Sequence, residues 1–263
     1  MTPSSAATPR DARQDGQVVV EVRDAVAAVQ FSHPKSNSLP SALLQKLADE
    51  ITKIGHNSGV KVIVLRSPGN GAFCAGASFD EMKAVSDATN GREFFSGFAR
   101  VILAMVRAPQ FVLARVHGKV TGGGVGLIAA SDYVFAVKGA SLKLSELAIG
   151  LGPFVIGPVV ERRVGRGPFE ALAIDADWRD ADWAERHGLY SRVFDDEKSM
   201  DAAMEKLVQF LSQSNPEAIK QLKQVFWADT DEWDALLERR AAISGALALS
   251  AHTRAAIEKF EKK

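Results

Sequence analysis

The chain has 263 residues, enough for one large domain or one domain with a helical appendage. Its 32 basic side chains are matched by 32 acidic ones, so no global field draws it to nucleic acid or to an anionic membrane surface. The single cysteine, Cys74, excludes an internal disulfide framework and fits a reducing, cytoplasmic setting.

Residues 1–16 are rich in Ser, Thr and Pro and lack an apolar h-region, so they read as a disordered leader rather than a signal peptide. No stretch approaches the roughly 18 apolar residues of a membrane span. Val18–Val22 and Ala25–Phe31 are short apolar runs around Arg23-Asp24, which predicts a hairpin. After the loop His33–Ser38, Pro40 can open a helix without losing a hydrogen bond. Leu43, Leu44, Leu47, Ile51 and Ile54 then repeat at helical spacing. Val62–Leu65 is a continuous apolar run, as expected of a strand covered on both faces. Helices are predicted at Phe79–Val85, Arg92–Val106 and Gly124–Ala130, with strands at Phe111–Val116 and Tyr133–Val137. This alternation predicts an α/β core with parallel crossovers. Past Gly152 the strand signal largely disappears, and helices are expected from Val155 to Glu261.

Two Gly-rich segments lie where a strand gives way to a helix: A-F-C-A-G-A-S-F-D-E-M at Ala72–Met82, and H-G-K-V-T-G-G-G-V-G-L at His117–Leu127. The first backbone N–H groups of a helix have no partner within it. Two such donors aimed at one point can hold the negative oxygen of an enolate. Plain tight turns are the alternative reading. A phosphate-binding P-loop is excluded, because no Gly-Lys-Ser/Thr follows Gly122–Gly126. The five histidines are scattered, without H-x-x-x-H or H-E-x-x-H, so no metal site is expected. No serine sits in a G-x-S-x-G elbow. Cys74 reads as a small residue filling space beside its turn.

The first segment resembles the F-[CS]-A-G-A-D-[LIF]-x-E-M block of the crotonase (enoyl-CoA hydratase/isomerase) superfamily, and the second resembles its G-x-x-x-G-G-G-x-x-L block. The resemblance runs from about Val18 to the C-terminus. It implies an α/β fold: a crotonase-like β-β-α spiral core over residues 17–200, and a C-terminal helical trimerisation region over 201–263. It also implies an acyl-CoA thioester as substrate, no cofactor beyond the coenzyme A of that substrate, and a homotrimer or hexamer. By the same resemblance the oxyanion donors are the amides of Ala77 and Gly123. Leu142–Pro153, L-K-L-S-E-L-A-I-G-L-G-P, resembles F-x-x-P-E-x-x-x-G-x-x-P, which makes Glu146 the catalytic glutamate. Desolvation by Leu144, Leu147 and Phe154 is expected to raise its pKa toward neutrality. A solvent-exposed Glu at a helix end is the alternative. Lys35, Asn37 and Ser38 resemble the loop that follows the adenine and pantetheine, largely through its backbone, and Ala75 and Phe79 would flank the pantetheine and acyl chain. Lys259 or Lys262 of the closing helix is a further candidate neighbour of a CoA phosphate.

Three departures bear on the reaction. Family hydratases place a second glutamate where this chain has Gly126. A lone carboxylate suits a proton shuttle between C2 and C4, and so favours 3-enoyl-CoA to 2-enoyl-CoA isomerisation. Hydration by Glu146 alone, with a water held by backbone groups or another side chain, is the runner-up. Asp132 and Glu81 are candidate substitutes for the missing glutamate, Asp132 being expected rather to cap or pair locally, and a catalytically silent acyl-CoA binder is the rival of another class. Ser78 replaces the usual Asp after Ala77, and Asp80 either lines the acyl pocket or faces water.

Overall fold

A computed structural model describes residues 15–261, with side chains through Lys259. The leader therefore lies outside the described residues except for Asp15 and Gly16, and Lys262 lies outside them as well. The expected hairpin is formed by β1 (Gln17–Arg23) and β2 (Val26–Ser32). Its two-residue turn is Asp24 and Ala25, with φ of 45° and 67°. This left-handed pair matches the twist of the flanking strands.

Behind the hairpin, α1 (Ser41–Gly55) buries the leucine and isoleucine stripe read from its spacing. The parallel strands β3 (Val62–Arg66), β4 (Phe111–Val116) and β6 (Tyr133–Val137) then complete most of a six-stranded sheet. Its order is β1-β2-β3-β4-β6-β8, and β8 (Arg192–Phe194) closes the edge. Residues Val62–Leu65 are buried throughout, as a strand covered on both faces requires.

A second, smaller layer carries the site. It consists of β5 (Val120–Thr121) paired with β7 (Leu142–Lys143), extended by single bridges Cys74↔Val120 and Leu142↔Arg179, with a further bridge Leu39↔Ala77. From this layer the chain enters α2 (Phe79–Ala84) and α4 (Gly123–Ala130). Between them, α3 (Ala88–Arg107) packs against α1. The spiral core and the helical C-terminal region expected from the resemblance are both present.

The C-terminal half contains α5 (Gly157–Val164), α6 (Arg166–Asp175), α7 (Ala181–Arg186), α8 (Glu197–Gln213), α9 (Pro216–Phe226), α10 (Trp233–Ala248) and α11 (Ala251–Glu261). The sequence reading missed β5, β7 and β8. Two or three residues are too short to display a strand period, and only their partners make them strands. Pro158 in the first turn of α5 delays that helix to Gly157, past the expected start at Val155. No helix among the described residues is long and apolar enough to cross a membrane.

Asp132 ties the helical region to the sheet. Its carboxylate accepts from the Lys223 ammonium at 2.6 Å, from Val112 N at 2.7 Å and from Trp227 Nε1 at 2.8 Å. Lys223 is itself buried and also donates to the carbonyls of Met105 and Gln110. Burial depresses the Lys223 pKa, and Asp132 opposes that shift. Removing one partner strands the other charge, so Asp132→Ala should cost about 3–5 kcal/mol in equilibrium urea unfolding. A loss below about 1 kcal/mol would show that the pair carries no such constraint.

Candidate active site

Cys74 and Val120 are paired in parallel register, and Thr121 N donates to Cys74 O at 2.9 Å. Three positions beyond each partner stand Ala77 and Gly123, the two residues singled out as amide donors. Among the described residues, neither of these N–H groups has an acceptor. For Gly123, in the first turn of α4, this follows from helix geometry. For Ala77, the chain has just turned at Gly76, whose φ is +83°. A Cβ there would lie 3.0 Å from Thr121 O and 3.4 Å from Gly123 N, so the two segments approach backbone to backbone. At Gly123 a Cβ would stand 2.2 Å from the Phe98 ring, which leaves no room for any other residue.

Both amide-bearing residues line one cavity of ≈ 70 Å³ together with Glu146. A single water needs roughly 10–15 Å³ on this scale, so the cavity is small. The walls are largely apolar, with Met82 from α2, Phe95 and Phe98 from α3, and Phe154 and Ile156 from the segment leading into α5.

Glu146 stands at the head of a short 3-10 turn, Leu147–Ile149, and its carbonyl accepts from Ile149 N at 3.1 Å and Leu151 N at 2.9 Å. That turn fixes the backbone from which the side chain reaches inward. One carboxyl oxygen, Oε1, faces Gly122, where a Cβ would lie 3.3 Å away. The other, Oε2, is sealed from water and has no hydrogen-bond partner. Desolvation therefore dominates and pushes the Glu146 pKa up to about 7, although the nearby amides of Glu146 and Ser145 pull it down. Phe154 lines the cavity as expected and Leu144 is buried outside its lining, whereas Leu147 is 52% exposed.

The structure treats the remaining site residues unequally. Ala75 and Phe79 line the cavity. Asn37 is turned inward: its Oδ1 accepts from His33 N and its Nδ2 donates to Pro68 O and Ala72 O. Ser38 Oγ pairs with His33 Nδ1. Both side chains thus stabilise the loop, while Pro34, Lys35 and Ser36 are the loop residues exposed outward. Lys35 is ion-paired with Asp80, and both are exposed, so Asp80 lies on the surface rather than in the acyl pocket. Ser78 caps α2 by accepting from Glu81 N, as an Asp would.

Neither candidate helper reaches the cavity. Asp132 is committed to Lys223, and Glu81 accepts from Ser41 N and Ser41 Oγ, both at 2.7 Å. Gly126 is enclosed: a Cβ there would meet Ile156 Cγ2 at 2.5 Å. Cys74 is buried and its thiol is pushed up to about 12, which suits a packing residue and not a nucleophile. His117 is buried with both ring nitrogens unpartnered, and burial foremost, then Arg115, depresses its pKa. No cluster of three or more His, Cys, Asp or Glu that could hold a metal exists among the described residues. Sequence reasoning missed Ser244 of α10, a cavity residue whose helix carries no local sign of the site.

The family model for enoyl-CoA hydratase/isomerase matches residues 21–262. The chain is 31% identical over 209 residues to the short-chain-enoyl-CoA hydratase of Clostridium acetobutylicum, covering 79% of each chain. It is 26% identical over 222 residues to the mitochondrial Delta(3,5)-Delta(2,4)-dienoyl-CoA isomerase of Mus musculus, covering 77% of this chain and 65% of that one. In three dimensions it resembles the enoyl-CoA hydratase of Bacillus halodurans with a TM-score of 0.86 at 19% identity, over 92% of this chain and 99% of that one.

A carboxyl whose pKa is about 7 when folded and near 4.5 when unfolded binds more protons in the folded state between those values. Its ionisation therefore costs nothing below about pH 4.5, and the penalty grows until it levels off above about pH 7. Relative to wild type, Glu146→Gln should gain stability as pH rises through that window, by about 3 kcal/mol in all. Urea titrations from pH 4.5 to 8 measure this; a pH-independent difference would contradict the desolvated carboxyl.

Proposed function

Because the chain belongs to the enoyl-CoA hydratase/isomerase family, we propose that it isomerises 3-enoyl-CoA to 2-enoyl-CoA with Glu146 as the only working carboxyl group. The amides of Ala77 and Gly123 receive the thioester oxygen. Glu146 takes a proton from C2, the electrons move into the thioester to give a dienolate, and the same carboxyl returns the proton at C4. The C3–C4 double bond becomes C2–C3 and nothing else is consumed. Each oxyanion donor is worth about 3–4 kcal/mol of transition-state stabilisation. A base with its pKa near 7 spends little energy on either transfer.

The observation that carries the reading is the desolvated carboxyl group of Glu146 lining the same small cavity as two residues with acceptorless amides. Ile156 supports the choice of isomerisation. It occupies the space beside Gly126 and so withholds both a second carboxylate and the water that such a pair would orient. Hydration by Glu146 alone is the second reading, favoured by the likeness to the Clostridium hydratase. In either reading Lys35 approaches a CoA phosphate after releasing Asp80, the loop of Asn37 and Ser38 offers its backbone to the adenine and pantetheine, and Ala75 and Phe79 flank the chain.

Incubation with 3-hexenoyl-CoA should yield 2-hexenoyl-CoA, and Glu146→Gln should lower kcat at least 10²-fold with little change in thioester affinity. Formation of 3-hydroxyacyl-CoA from 2-enoyl-CoA without isomerisation would select hydration instead. Unchanged turnover in the variant would remove Glu146 from the mechanism.

A homotrimer, or a hexamer of two trimers, is part of the same proposal. It is supported by Phe210, Val225 and Phe226, which stand 67%, 68% and 51% exposed on α8 and α9 and which a neighbouring subunit would cover. Sedimentation equilibrium should give three or six times the 28.3 kDa chain mass. A monomer at micromolar concentration would refute the assembly.

A further inference from the structure

One polar group in the cavity wall has no part in the proton transfer. The buried stripe of α10 runs through Trp233, Leu237, Ala241, Ser244, Gly245 and Ala248, repeating at helical spacing. This stripe packs on α3 at very short range: a Cβ on Gly91 would meet Gly245 Cα at 2.8 Å. The close crossing carries Ser244, the neighbour of Gly245, into the lining of the cavity.

Ser244 is 2% exposed, and among the described residues its hydroxyl has no hydrogen-bond partner. That is unusual chemistry for a helical serine, which when buried ordinarily bonds the carbonyl one turn back. Ser131 does so in this protein, donating to Leu127 O at 3.0 Å, and Ser214 donates to Phe210 O at 2.9 Å. Ser244 forgoes that bond and keeps its hydroxyl for the cavity. Burying such a group without a partner is costly, so a bare hydrocarbon chain packed against it would bind at a disadvantage.

The position narrows the ligand. Glu146, Gly122 and Gly123 come from the small sheet layer, where the thioester is placed. α10 instead contributes Ala248, with Leu247 beside it, to a separate apolar cluster containing Met82, Ile149 and Leu151. Those last three residues also line the cavity. Ser244 therefore puts a hydroxyl into an apolar wall of the kind that receives an acyl chain. A hydroxyl both donates and accepts, which suits a carbonyl or hydroxyl oxygen. A carboxylate fits poorly, since no Lys or Arg is in the lining.

We propose that Ser244 hydrogen-bonds an oxo or hydroxyl group on the acyl chain, so that the preferred substrates are oxygenated acyl-CoA thioesters. The inference rests on the acyl-CoA reading above, but not on the choice between isomerisation and hydration.

Calorimetric binding of unreactive saturated thioesters separates these dependences, using pentanoyl-CoA and hexanoyl-CoA against 4-oxopentanoyl-CoA, 5-oxohexanoyl-CoA and 5-hydroxyhexanoyl-CoA. The wild-type protein should bind at least one oxygenated thioester about tenfold more tightly than its hydrocarbon counterpart. Ser244→Ala should erase that ratio by weakening the oxygenated ligand alone, with the melting temperature of the variant recorded alongside. If wild type shows no preference, or if Ser244→Ala keeps it, the inference is overturned while the acyl-CoA reading stands. If no CoA thioester binds at all, both are overturned.

Discussion

Two short segments from distant parts of the sequence lie side by side because Cys74 and Val120 share a parallel bridge, and the site depends on that pairing. Ala77 and Gly123 each stand three residues beyond that bridge, although α4 begins at Gly123 itself and α2 only at Phe79. The amides are free for a topological reason. One begins a helix and the other follows a left-handed glycine, and neither geometry offers an acceptor within the chain. Such donors need no reorganisation when charge develops beside them, which is why a site can work through backbone alone.

The carboxyl shows the complementary principle. Glu146 gains its properties from what is withheld: solvent, partners and a second acid. Apolar walls from α2, α3 and the approach to α5 remove water, and a rigid turn holds the backbone. Ile156 packs directly on Gly126, and among the described residues Glu146 is the one carboxyl group in the cavity lining.

Much of the fold was legible because its signals are local. The α1 stripe, the uninterrupted run of β3 and the Gly-rich entries to α2 and α4 each follow from sequence spacing. The strands β5, β7 and β8 were not, since their identity comes from partners far along the chain. Among candidate site residues, Glu146, Ala77 and Gly123 were named through motifs, and all three line one cavity. The inward turn of Asn37 and Ser38 was not legible, because an Asn in a loop reads the same whether it faces ligand or holds the loop to Pro68 and Ala72. Ser244 was illegible for a similar reason. On an Ala-rich helix it looks like one more small residue, and only the absence of its usual carbonyl bond in the folded chain sets it apart.

The contact between Gly91 and Gly245 has a consequence for how this protein can change. Two helices meeting without intervening side chains have no slack, so their spacing is a property of the whole rod. Adding a single methyl at that crossing would push α10 away from α3 and enlarge the cavity that Ser244 and Phe95 line. Selectivity could thus drift through a position that touches no substrate, while the atoms doing chemistry stay where they are.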